Sequence, residues 1–92
     1  MGKAALVLGS ELIRAARALL RWEQRDLANA SSVSLPTIKR LESKPGFMAA
    51  HASTVAALRK ALEIAGVEFI DENGGGPGVR LRKSQRQKAP KA

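Results

Sequence analysis

Apolar residues recur along this chain at helical spacing in several stretches, and then the spacing switches to alternation. In the first stretch Leu12, Ala16, Leu19 and Leu20 share a face, with Ile13 beside them. Residues three and four apart are neighbours on an α-helix, so this pattern predicts a helix over about 10–21. Ser10 is the expected N-cap of that helix, because its hydroxyl can accept an unpaired backbone N–H. Leu27 and Ala28 face inward from a second, short helix, and Ile38 and Leu41 from a third, with Val33 in the turn between them. Ala28 is small enough for those two helices to cross closely. Trp22 precedes the second helix and is expected to staple onto Leu27. Ser34 suits the N-cap of the third helix, and Pro36 falls in its first turn, where a missing N–H is no loss. Val55, Leu58, Leu62 and Ala65 make a further stripe, with Ser53 as the expected cap and Gly66 as the stop.

After Gly66 the period becomes two. Val67 and Phe69 alternate with Glu68, and Val79 and Leu81 alternate with Arg80 and Arg82. The turn-rich run at 71–78 lies between them, so a β-hairpin is predicted. Its glycines lack the following helix and Lys of a phosphate-cradling loop. The chain thus divides into an N-terminal arm at 1–9, a helical domain at 10–66, a hairpin at 67–82 and a tail at 83–92. The fold class is mainly α, a helical bundle followed by a short C-terminal β-hairpin. A lone hairpin is marginal and its free edge carries unpaired backbone groups, so it is expected to pair with a second copy. The face of the helix before it is the other candidate dimer contact.

The third helix changes the picture from fold to function. With Ile38 and Leu41 inward, Leu35, Pro36, Lys39, Arg40 and Ser43 must point outward, and Thr37 sits at the border. Lys44 follows at once and is a candidate phosphate contact. A short basic helix after a tight turn is what a protein inserts into the major groove of DNA.

At Gln24-x-x-Leu27-Ala28, Val33-Ser34, Ile38 and Leu41-Glu42 the chain resembles the Cro and lambda-repressor-like helix-turn-helix family, also called XRE. The resemblance runs over roughly residues 10–65. It implies a lambda-repressor-like bundle of four to five helices that binds operator DNA. It implies that Gln24 contacts a phosphate from the start of the first motif helix. It also implies a recognition helix at about 34–42, in which Ser34, Leu35, Pro36, Thr37, Lys39 and Arg40 lie on the DNA side. An internal pair between Arg17 and Glu42 is implied too, tying the first helix to the recognition helix. The family usually has Gly in the inter-helix turn, Gly before the first motif helix and Ser as that helix's cap. Here those residues are Ser32, Arg21 and Glu23. A non-Gly residue in left-handed backbone costs on the order of 1 kcal/mol.

Composition narrows the classes of function. The chain has 92 residues, the length of one small domain, and much of its apolar content is Ala. Large core residues are few, so dimerisation would add stability. The formal net charge is +8, and the six bases from Arg80 onward have no acid among them. Before Arg80 the chain has ten bases and eight acids, so the tail makes it basic. Such a tail is either a solubilising terminus or an arm that follows the phosphate backbone. There is no Cys, hence no disulfide or thiolate metal site, and the single His51 is expected in an exposed loop. No cofactor, metal or enzymatic activity is expected, since no acid pair or nucleophile–base set is visible. No segment approaches the ~20 apolar residues that span a membrane. The expected partners are double-stranded DNA and a second copy of the chain, in the cytoplasm and on the nucleoid. Two alternatives stand beside a transcriptional regulator. One is an antitoxin-like repressor controlled by a protein partner. The other is a general nucleic-acid-binding or packaging protein, although few aromatics for base stacking argue against single strands.

Overall fold

The computed structural model describes residues 8–83. The expectations for the N-terminal arm before Leu8, and for the basic tail beyond Lys83, lie outside the described residues. Within them the chain is mainly helical, with four helices followed by an antiparallel hairpin. The helices are α1 (Ser10–Leu20), α2 (Gln24–Ser31), α3 (Leu35–Glu42) and α4 (Ala52–Ile64). The strands are β1 (Val67–Ile70) and β2 (Gly78–Leu81), so the second strand starts one residue earlier than the alternation suggested.

The core takes one stripe from each helix. Ile13, Ala16, Leu27, Ile38, Leu58 and Leu62 are buried together with Val67 of the hairpin. Leu12, Leu20, Trp22, Ala28 and Val33 pack around them, half-buried. Leu19 is a correction: it is exposed, not inward. At about 100° per residue Leu19 lies a third of a turn from Ile13, outside the arc that Ile13, Ala16 and Leu20 define. Trp22 and Leu27 occupy the two positions of a hydrophobic staple around the start of α2, and Trp22 packs against the core.

Two caps differ from expectation. Gly9, not Ser10, precedes α1 with extended backbone, and Ser10 is wholly buried inside the first turn. Its hydroxyl donates to the carbonyl oxygen of Lys44 at 2.6 Å, so a distant partner outcompeted the local cap. Likewise His51, not Ser53, caps α4, because extended backbone at His51 starts the helix earlier. Ser34 does cap α3, and its Oγ accepts the Thr37 N–H at 3.3 Å. Glu23 stands at the start of α2, where Asp26 accepts the Glu23 backbone N–H at 2.8 Å. That bond is one half of a capping box.

The hairpin pairs Val67 with Leu81 and Phe69 with Val79. Those four side chains share one face, which packs on the helical core. The hairpin is therefore not a lone one: its strands lie against α1 and α4 of the same chain. On the outer face Arg80 meets Glu68 across the strands at 3.1 Å. The Arg80 hydrogen bond and charge hold the Glu68 carboxyl below its ordinary range. Both side chains are exposed, so the pair adds little stability.

Candidate nucleic-acid interface

α2 and α3 are joined through residues 32–34, and the join depends on backbone handedness. Ser32 ends α2 at φ 65°, in the left-handed region. Arg21 ends α1 the same way, at φ 60°. These are the two positions at which the resemblance implies glycine and the sequence has none. The left-handed backbone is kept and the strain is carried by side-chain-bearing residues. At Arg21 the bend is fixed by two bonds, Arg21 N–H to Ala18 O and Trp22 N–H to Arg17 O.

α3 then divides much as its apolar spacing predicts, with a correction at Leu35: expected outward, it is half-buried, because it lies three residues before Ile38 and so beside the buried stripe. Ile38 and Leu41 are buried, and Pro36, Lys39, Arg40, Ser43 and Lys44 are exposed. Leu35 and Thr37 are half-buried at the border, and Ser34 is exposed at the N-cap. The Ser34 hydroxyl donates to Thr37 Oγ1 at 2.8 Å, and the Ser43 hydroxyl to Arg40 O at 2.7 Å. A groove between α3 and the start of α4 is lined in part by Thr37, Arg40 and His51. His51 is exposed there, and among the described residues no group of three His, Cys, Asp or Glu could hold a metal ion.

The inner end of α3 is locked by Glu42. Arg17 Nε and Nη2 donate to its two carboxylate oxygens at 2.9 and 2.7 Å, a bidentate pair. The Glu42 side chain is 4% exposed and that of Arg17 17%. Gln24 Nε2 adds a third bond to Glu42 Oε1 at 3.0 Å. Arg17 Nη1 also holds the Trp22 carbonyl at 3.0 Å. One carboxylate thus joins α1, α2 and α3. Gln24, which the resemblance places on a phosphate, has this internal partner at the same time.

Sequence reading missed a second set of bonds from α1. Arg14 Nη1 donates to the Glu42 carbonyl at 2.9 Å, and Ser10 holds that of Lys44. The Glu11 carboxylate accepts the Gly46 N–H at about 3.1 Å, and the Ser10 N–H donates to Gly46 O at 2.9 Å. Hydrogen bonds from its own N–H and from Gly46, with the Arg14 charge behind them, hold the Glu11 carboxyl below its ordinary range. A signal was present in the sequence. Ser10, Arg14 and Arg17 are spaced four and three apart, which puts them on one face of α1. No known family model matches this chain, and no curated protein matches it.

Proposed function

We propose that this protein is a sequence-specific double-stranded DNA-binding regulator of the Cro and lambda-repressor-like (XRE) kind, with α3 in the major groove. One observation carries the reading. α3 is short, buried along Ile38 and Leu41, anchored at Glu42, and presents Lys39 and Arg40 outward with Lys44 just beyond. Arg40 can donate two hydrogen bonds to a guanine edge, and Lys39 reaches a guanine or a phosphate. Leu35 and Pro36 offer apolar contact to thymine methyls. Lys44 and the backbone N–H of Gln24 serve phosphates, which set affinity and register rather than sequence. Action on the nucleoid follows from this reading.

A two-fold dimer belongs to the same proposal. The hairpin has two strands among the described residues, so each has an outer edge free for a second copy. Ile64 on α4 is 72% exposed and supports the alternative contact. Among the described residues no helix is long and apolar enough to cross a membrane. A second reading, a repressor controlled by a protein partner, is favoured by Phe47. It is 78% exposed at a cavity of about 200 Å³ lined by Leu8, Leu12, Phe69 and Ile70 and by the charged Arg59, Asp71 and Glu72.

The test is selection of bound duplexes from a random library. The expected outcome is an enriched inverted repeat whose half-sites lie about one helical turn, roughly 34 Å, apart. Enrichment without an inverted repeat, together with a monomer in sedimentation at tens of micromolar, removes the dimer. Absence of any enrichment removes the sequence-specific reading.

A further inference from the structure

α1 contributes more to α3 than the Arg17–Glu42 pair. An α-helix leaves its last four carbonyls without intrahelical partners. At the end of α3 the Glu42 carbonyl is taken by Arg14, and two residues on the Lys44 carbonyl is taken by Ser10. Two residues further, Gly46 is bonded through both its N–H and its carbonyl, by Glu11 and by the Ser10 backbone. Every second residue from 42 to 46 is thus held by α1 through its main chain. The intervening Ser43 and the Lys44 side chain are left exposed. Ser10 itself is wholly buried, so it cannot touch a nucleic acid.

We infer that Ser10 and Arg14 are positioning residues for base reading. They set where the end of α3 and the Lys44 side chain lie relative to the rest of the domain. The inference rests on the DNA-binding reading above. It places Arg14 among the supports of α3 rather than among direct phosphate contacts. One guanidinium nitrogen, Nη1, is held by Glu42 O, although Arg14 is otherwise exposed. Arg17 and Glu42 orient the inner side of α3, and Ser10 and Arg14 index its exit.

The test uses the full chain as wild type, Ser10→Ala and Arg14→Met. Affinity is measured over a salt series for the selected duplex and for a scrambled one. Positioning predicts that both variants lose preference for the selected duplex, on the order of tenfold, with a smaller loss on the scrambled duplex. The log–log salt slope should stay at the wild-type value. Unchanged preference in Ser10→Ala overturns the inference for Ser10. A slope lowered by about 0.9 in Arg14→Met, with preference kept, makes Arg14 a phosphate contact and overturns its assignment. Native-state hydrogen exchange provides a readout without DNA. The amides of residues 43, 44 and 46–48 (Pro45 has none) should exchange faster in both variants while those in the middle of α4 do not. Equal exchange at 43–48 overturns the inference, even if the wild type binds no DNA. A wild type that fails to discriminate the two duplexes, with exchange changed as expected, sinks the DNA-binding reading instead.

Discussion

At the scale of single residues, the Glu42 carboxylate ties three helices together. It is the buried member of its ion pair, and it receives donors from Arg17 and Gln24. Burying a carboxylate is costly unless charge and hydrogen bonds compensate it. The two partners are therefore not equivalent. Arg17→Ala leaves a buried anion with one amide for company, and should destabilise the fold by roughly 3 kcal/mol. Glu42→Ala leaves a cation that is partly in water and still bonded to Trp22 O, and should cost less. Urea unfolding of the two variants checks the order. An equal or reversed order would show that Glu42 is not the group whose desolvation matters. The pair itself is legible in the sequence only through the resemblance at 24–42. The third donor, Gln24, is not, because a glutamine at a helix start fits an external phosphate equally well.

At the scale of elements, the joints between helices hold both the strain and the unforeseen bonds. Ser32 sits at φ 65° where a glycine would be unstrained. Ser32→Gly should stabilise the domain by up to about 1 kcal/mol, the left-handed penalty less the greater freedom of an unfolded glycine. That corresponds to a melting temperature several degrees higher, roughly 4–8 °C at most for a domain of this size. No gain would mean that neighbouring bonds already relieve the strain. The joint between α1 and the segment after α3 carries a pH dependence. Glu11 has a depressed carboxyl in the folded state, so it stabilises the fold above its unfolded value. That contribution is lost as pH falls through the folded value. Glu11→Gln should be less stable than wild type at neutral pH, and the difference should close in strong acid. Denaturant midpoints across pH check this, and a gap independent of pH would contradict it. The stripes that define α1, α3 and α4 are readable because burial follows spacing, as at Ile38 and Leu41. The caps are less so. Ser10 and Ser53 have the right chemistry for a cap, but Lys44 O claims one and the backbone at His51 starts the helix ahead of the other. Local propensity does not see a partner 34 residues away.

At the scale of the whole molecule, charge and fold are separate. The described domain has exposed bases on several elements, Lys39 and Arg40 on α3 beside Arg25 on α2 and Lys60 on α4, whereas the excess positive charge of the sequence is concentrated from Arg80 onward. Removing residues 83–92 should leave thermal stability nearly unchanged, because that stretch has no apolar periodicity to contribute to a core. If the tail follows the phosphate backbone, its removal should flatten the log–log salt slope of DNA binding by about 0.9 for every phosphate it neutralises. An unchanged slope would make the tail a solubilising terminus. The hairpin was legible as alternation, but its docking on α1 and α4 was not, since period two fixes a face and not its partner. Whether the outer face of α3 reads base pairs, as proposed, is decided by Arg40→Ala. Its affinity and that of wild type are compared on the selected duplex and on a scrambled duplex at one salt concentration. Arg40→Ala should lose ~1–3 kcal/mol on the selected duplex and less on the scrambled one, with relaxed preference at one base-pair position. Equal losses on both duplexes would contradict it and reduce Arg40 to a phosphate contact.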